Sequence, residues 1–139
     1  MEKQIIAPPS IKKSSALKPY DPIEVPFSQA IKAKGEFLFI SGQTAVNEKG
    51  EVEGKGDVAA QTRLSLKNVE TIVKAAGGDM SNIVQTMWFV KSIDDFYKSG
   101  ASTIRREFFK GDQPTSTLVE IKRLADPDFL VEVQAIALL

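Results

Sequence analysis

The sequence predicts a single α+β domain in which two helices cover one face of a β-sheet. The last part of the chain, residues 129–138, alternates between two sets of side chains, which is the two-residue period of a β-strand. Residues 57–76 instead place apolar side chains at steps of three and four, the period of an amphipathic helix. Predicted elements follow in the order strand, strand, helix, strand, helix, strand, strand, and the 139 residues suffice for one domain.

A proline-rich arm, residues 1–25, is predicted to precede a domain at 26–139. Proline fixes φ and disfavours helix in the residue before it, so the arm is expected to be extended, with a short strand at 4–7. Five of the chain's seven prolines lie at its start, at Pro8, Pro9, Pro19, Pro22 and Pro26.

Two predicted strands, residues 28–32 and 36–41, flank a Lys34-Gly35 pair that is typical of a hairpin turn. The second strand leads into Ser41 and Gly42. A glycine at the end of a buried strand either lets the backbone approach a ligand closely or forms a β-bulge, and the sequence leaves both open.

The predicted helices alternate with a buried strand. The first begins after Asp57, a typical N-cap residue, and ends at Gly77-Gly78. Residues 83–90 form a strand that contains Trp88, the only tryptophan. The second helix begins at Ser92 or Asp94 and continues past Gly100 to Phe108, although an internal glycine weakens a helix.

The last two predicted strands, 115–121 and 129–138, are joined by a turn-rich connection. The final strand is apolar on both faces, which indicates a central position in the sheet. Glu132 and Gln134 interrupt the apolar side chains of one face. Burying a carboxylate there costs free energy unless a hydrogen-bond or ion-pair partner compensates it, so Glu132 is a candidate functional residue. If the two strands were hairpin neighbours, Ser116, Thr117 and Glu132 would gather in one place.

With two helices on one side of the sheet only, the other face of the sheet stays apolar and uncovered, which predicts a homo-oligomer.

Composition excludes several classes of function. Lys and Arg together number 18, as do Asp and Glu, so no net positive charge attracts nucleic acid. The chain has no His and no Cys, which removes the usual zinc ligands, the thiolate nucleophile and the commonest general base. No secretory signal and no membrane-length apolar run are visible, so a cytoplasmic protein is expected.

Several segments resemble, in order, the motifs of the reactive-intermediate deaminase family, also called RidA or YjgF and formerly the L-PSP endoribonuclease group. They are P-F-S-Q-A at 26–30, F-I-S-G-Q at 39–43, Q-T-R at 61–63, L-K-N-V at 66–69 and V-E-V-Q-A-I-A at 131–137. The resemblance implies a chorismate-mutase-like mixed sheet and a homotrimer with ligand clefts between subunits. It also implies hydrolysis of enamines or imines to keto acids and ammonia, without metal or cofactor.

The same resemblance implies a set of site residues. Glu132 matches the position of the catalytic acid, and Ser41 and Gly42 match substrate-binding positions. Phe27, Ser116 and Leu118 stand where the family has a pocket tyrosine, the carboxylate-binding arginine and a cysteine. Arg63, Arg105, Arg106 and Arg123 could supply the missing charge from elsewhere, although arginines on helix surfaces are usually solvated.

Two functions remain open from the sequence. One is an enamine or imine hydrolase with an altered substrate preference. The other is a non-catalytic, small-ligand-binding or regulatory protein on the same scaffold, which the replacement of the arginine by Ser116 favours. A ribonuclease fits poorly, because the chain has neither histidine nor a basic cluster.

Overall fold

The computed structural model describes residues 1–20 and 25–139, so Pro22 of the predicted arm lies outside the described residues. Three α-helices and six β-strands are present in this part of the chain. Short 3₁₀ helices lie at Ser15–Tyr20 and Met80–Asn82. The strands are β1 Glu2–Ile6, β2 Ala30–Lys34, β3 Phe37–Gln43, β4 Ile83–Val90, β5 Thr115–Glu120 and β6 Val131–Leu138, and the helices are α1 Val58–Ala75, α2 Ile93–Lys98 and α3 Ala101–Phe108.

The main sheet is mixed and has the strand order β3-β6-β4-β5. Strand β6 runs antiparallel to both of its neighbours, and β5 runs parallel to β4. The prediction that β6 is central is confirmed. The hairpin between β5 and β6 is wrong, because β4 lies between them and residues 121–130 carry the chain across.

The hairpin predicted at Lys34-Gly35 is also wrong. Strand β2 pairs with β1 in a separate two-stranded sheet, whereas β3 pairs with β6. The backbone of Glu36 exchanges both of its hydrogen bonds with Leu139, at 3.0 and 2.8 Å. Residues remote in the sequence therefore form hydrogen bonds with the backbone N–H and C=O groups that would have paired with each other in a hairpin.

The helices cover one face of the main sheet, as predicted. Alternate residues of β6, Val131, Val133, Ala135 and Ala137, are buried on that face. Leu66, Val69 and Val73 of α1 belong to the same apolar core, together with Trp88 of β4 and Phe96 of α2.

Local sequence signals define the first helix and divide the second. Asp57 caps α1, accepting a hydrogen bond from the Ala60 N–H at 3.0 Å, and Gly77 follows its end with φ of 90°. Ser92 caps α2. The single second helix of the prediction is wrong, because Gly100 adopts φ of 86° and separates α2 from α3. Only glycine reaches that conformation without strain.

The opposite face of the main sheet is apolar and open in the single chain. Phe37 and Phe39 of β3 are 64% and 73% exposed, and their rings stack with centroids 5.7 Å apart. Val119 of β5 is also exposed. Exposed apolar surface of this kind usually marks a contact with another molecule.

A Gly100→Ala substitution tests the helix break. Nothing lies within 4 Å of the added Cβ, so its cost comes only from the left-handed backbone. We expect a loss of about 1–2 kcal/mol in the free energy of unfolding, measured by urea denaturation. Lys98→Ala, two residues earlier in ordinary helical backbone, is the control and should change stability by about 0.5 kcal/mol or less. Equal losses in the two variants would contradict this account of Gly100.

Candidate functional site

The candidate site residues fall into two groups on opposite faces of the main sheet. Glu132 pairs with Phe89 of β4, on the open face. Ser116 pairs with Thr86, which in turn pairs with Ala135 on the helix-covered face. Because side chains alternate along a strand, Glu132 and Ala135 point to opposite sides. The expectation that Ser116 and Glu132 gather in one place is therefore wrong within a single chain.

Gly42 and Glu132 form the group on the open face. A Cβ added to Gly42 would lie 2.6 Å from Cδ and 2.8 Å from Oε1 of Glu132, so the bare glycine makes room for the carboxylate. The β3–β6 register shifts between Ile40 and Gln43, which shows that the predicted bulge is present. Ser41 is exposed beside it. The register shift supports the bulge, and the close approach seen at Gly42 is to Glu132 of the same chain; an approach to a ligand stays a prediction.

The second group lines a cavity of about 350 Å³ between the helix side of β5, the residues that precede β2 and the N-terminal 3₁₀ helix. Phe27, Ser116 and Leu118 all border it. Tyr97 of α2, 6% exposed, and Arg105 of α3, 3% exposed, complete its inner wall. The volume lies within the range of small-molecule sites, which is roughly 300–1,000 Å³.

Arg105 is the functional candidate that sequence reasoning underrated. Its Nη2 donates a 2.6 Å hydrogen bond to the Pro26 carbonyl, and its guanidinium carbon lies 5.5 Å from the centre of the Trp88 ring. The available signal was spacing: Arg105 follows Ala101 by four residues and so shares its buried helix face.

Two of the other arginines considered from sequence lie in solvated surroundings. Arg63 forms an exposed ion pair with Glu107, with Nη1 and Oε2 2.6 Å apart. Arg123 donates to the carbonyls of Leu124 and Ala125 in its own loop.

The N-terminal arm forms the outer wall of the cavity. Ala16 and Leu17 of its 3₁₀ helix border the space. Lys13 Nζ donates to the Val25 carbonyl at 2.7 Å and lies 4.0 Å from the centre of the Phe27 ring. These contacts join the arm to the pocket wall.

Two further properties limit the chemistry of the described residues. Within residues 1–20 and 25–139, no group of three or more acidic side chains is arranged to hold a metal ion. In the same part of the chain, every helix is too short or too polar to cross a bilayer. Trp88 is 1% exposed and belongs to the core, where its Nε1 donates to Thr86 Oγ1 at 3.1 Å.

Comparisons with known proteins all indicate the same protein family. The family model described as Endoribonuclease L-PSP matches residues 19–139. The 2-iminobutanoate/2-iminopropanoate deaminase of Escherichia coli strain K12 is 41% identical over 116 residues, which cover 81% of this chain and 86% of the relative. A RutC family protein of Pyrococcus horikoshii is 41% identical over 113 residues, with the same coverage of 81% and 86%.

Solved structures of members of the same family have the same fold as this chain. A Rid family protein of unknown function from Yersinia pestis, YyfB, superposes with a TM-score of 0.84 at 26% identity, over 100% of both chains. The YjgF gene product of E. coli gives a TM-score of 0.65 at 39% identity, over 84% of this chain and 90% of the other.

A Gly42→Ala substitution tests the contact on the open face. The added methyl group must displace the end of the Glu132 side chain, which is flexible and half-buried, so the free energy of unfolding should fall by only about 1 kcal/mol or less. The carboxyl ¹³C resonance of Glu132 should nevertheless shift. Ser41→Ala, on the same strand, adds no atom and serves as the control. An unmoved Glu132 resonance in Gly42→Ala would show that the two residues do not touch.

Proposed function

The chain belongs to the endoribonuclease L-PSP family, also called RidA or YjgF, and we propose that it hydrolyses a small imine or enamine to a keto compound and ammonia. The observation that supports this most is the Glu132 carboxylate, presented on the open face of the sheet beside the bare backbone of Gly42. A relative that is 41% identical is named as a deaminase of two imino acids. A small imine or enamine as substrate is consistent with the cytoplasmic location expected from the sequence.

The proposed reaction needs few protein groups. Water attacks the imine carbon, its oxygen forms the new C–O bond, and Glu132 accepts a proton from it. Glu132 returns that proton to the nitrogen, the new hydroxyl group passes its own proton to the nitrogen as well, the C–N bond breaks, and ammonia leaves as the C=O bond forms. The Gly42 N–H and the Ser41 hydroxyl bind polar atoms of the ligand. An enamine enters the same route after a proton adds to its carbon.

We place the complete site in a cleft between copies of the chain. Within one chain, Glu132 lies on the open face while Phe27, Ser116 and Leu118 lie on the helix side, so neither group is a full site. The open face, with Phe37 and Phe39, is the surface that a neighbouring copy would cover. A homotrimer is the assembly proposed, with Glu132 from one copy facing the pocket of another.

An altered substrate preference follows from the pocket wall. Phe27 and Leu118 give apolar surface where the family pattern has a tyrosine and a cysteine, and Ser116 replaces an arginine. A larger and less polar substrate than the smallest imino acids suits these walls.

A non-catalytic ligand-binding role is the second candidate. The replacement of the arginine by Ser116 favours it, because a guanidinium fork is well suited to hold a substrate carboxylate. Assays of turnover and of binding on the same protein separate the two roles.

Glu132→Gln should abolish hydrolysis, because the amide is nearly isosteric but accepts no proton. We expect turnover to fall at least about 100-fold, with imines generated by an amino acid oxidase and the keto product or ammonia followed over time. Glu36→Gln, which neutralises an exposed acid between β2 and β3, is the control and should retain full activity. Unchanged turnover in Glu132→Gln would remove this residue from the mechanism.

Phe39→Glu should prevent assembly without unfolding the chain. Phe39 is 73% exposed in the single chain, so its loss costs the isolated fold little, whereas a carboxylate buried between copies is expensive. Light scattering should give about three times 15.2 kDa for the native protein and 15.2 kDa for the variant. Ile11→Glu, a 54% exposed apolar residue of the arm, is the control and should stay assembled. A native monomer that retains full activity would rule out the shared cleft.

A further inference from the structure

We propose that Gln61 and Asn68 of helix α1 are positioning residues for the candidate acid. Their side-chain amides hold the backbone at the ends of β6 and β3, on either side of the contact between Gly42 and Glu132. The proposal rests on the proposed function for the role of Glu132 in hydrolysis. The hydrogen bonds that define the two positions belong to the fold and do not depend on that role.

The two amides lie on one side of α1. They are seven residues apart, which is nearly two turns at about 3.6 residues per turn, so both side chains leave the helix in a similar direction. Gln61 is 0% exposed and Asn68 is half-buried. In the described part of the chain, the other side-chain hydrogen bonds of α1 stay within the helix or join it to Glu107 of α3. The two amides are thus the polar contacts from α1 to the ends of the strands.

Gln61 holds the backbone that enters β6. Its Oε1 accepts a hydrogen bond from the Leu130 N–H at 2.8 Å, and its Nε2 donates to the carbonyls of Asp128 at 2.9 Å and Gly54 at 3.1 Å. A carboxamide has two N–H donors and one acceptor oxygen, so Gln61 uses all of them. Leu130 immediately precedes β6, and Glu132 is the second residue of that strand. The amide therefore fixes the chain two residues before the acid.

Asn68 holds the backbone that leaves β3. Its Nδ2 donates to the carbonyl of Thr44 at 3.0 Å and to that of Val46 at 3.1 Å. Strand β3 ends at Gln43, the residue after Gly42, so these two carbonyls follow directly on the bulge. The amide therefore fixes the chain two residues after the glycine.

The pairing of β3 with β6 is interrupted where these restraints act. Between the pairs Ile40–Ala135 and Gln43–Val133, the chain advances by three residues on β3 and by two on β6. A bulge leaves backbone groups out of the ladder and lets the strand bend. Gly42 has no side chain whose packing could oppose such bending. Hydrogen bonds from α1 to both strand ends supply the restraint that the ladder lacks at this point.

The position of the carboxylate matters more for hydrolysis than for folding. Glu132 must lie within hydrogen-bond reach of a water molecule that also faces the imine carbon. A displacement of about 1 Å in such an arrangement can lower the rate about 100-fold. Because α1 packs on the opposite face of the sheet from Glu132, the two amides act through the strand backbone.

The kinetic test removes one amide at a time, in Asn68→Ala and in Gln61→Met. In each variant, kcat for imino acids generated by an amino acid oxidase should fall about ten- to a hundred-fold. The change in KM should be smaller than the change in kcat, because the displaced acid acts in the chemical step. A folded variant of either kind with native kcat would overturn the proposal.

A spectroscopic test follows the acid directly and needs no turnover. Glutamate labelled with ¹³C at Cδ gives a carboxyl resonance for Glu132, which is identified by its absence in Glu132→Gln. The resonance should shift in both Asn68→Ala and Gln61→Met, since the strand that carries the carboxylate is no longer held. A resonance that stays in place in a folded variant would overturn the proposal, whatever the activity of that variant.

Thr62→Val is the matched control for damage to α1. Thr62 is 0% exposed, and its Oγ1 donates to the Val58 carbonyl of the same helix at 2.8 Å. The substitution keeps the shape of the side chain and removes a buried hydrogen bond but leaves both strand ends attached. Its urea midpoint should fall, while kcat and the Glu132 resonance stay native. Losses in Thr62→Val as large as those in Gln61→Met would show that a general weakening of the helix suffices, and the proposal would be wrong.

Circular dichroism and urea unfolding establish that each variant is folded. If Gln61→Met does not fold, because a buried amide has been lost, Asn68→Ala carries both tests. Its side chain is only half-buried, so we expect that variant to fold.

The two readouts also separate this proposal from the proposed function. If the native protein hydrolyses imino acids and the folded variants keep native kcat and a native Glu132 resonance, the positioning role is wrong and the hydrolase stands. If the native protein hydrolyses none of them, but the resonance shifts in the amide variants and not in Thr62→Val, the amides position Glu132 and the hydrolase is wrong.

Discussion

The central strand β6 imposes the constraint on which the rest of the structure depends. Its backbone is hydrogen-bonded on both edges, to β3 and to β4. The apolar side chains on each of its two faces must therefore be covered by other groups. Helix α1 covers the face that contains Val131, Val133 and Ala135. The opposite face presents Glu132 and Gln134 among apolar side chains, with nothing from the same chain above them in the described part of the fold. In a two-layer domain, an open apolar face of this kind usually marks a surface that contacts another molecule.

The separation of the candidate residues follows from this geometry. An acid on the open face and a cavity on the helix side act together only if copies of the chain meet. Arg105 of α3 and Ser116 of β5 border the same cavity, and the Trp88 ring and the Pro26 carbonyl hold the Arg105 guanidinium in its wall.

Local features were predictable because their causes are local. The N-cap at Asp57, the glycine after α1 and the bounds of β4 follow from side chains within a few residues of each element. The internal Gly100 predicts a weak point in the second helix, and its left-handed conformation separates α2 from α3. Neither predicted hairpin forms, because a turn-like sequence permits a hairpin but does not require it. Leu139 and β1 pair with the backbone groups on either side of Lys34-Gly35, and β4 lies between β5 and β6.

By itself, the sequence determined the class of fold, the alternation that makes β6 a buried strand and the family motifs. These features depend on the period of the apolar residues, on composition and on residue type, all of which can be read directly from the sequence. Only the tertiary structure decided which strands pair, that Glu132 and Ser116 face opposite sides, and that Arg105 is buried against Trp88 in the pocket wall. The reason is physical: the environment of a side chain is set by elements that meet across the core, and their meeting depends on the packing of the whole chain.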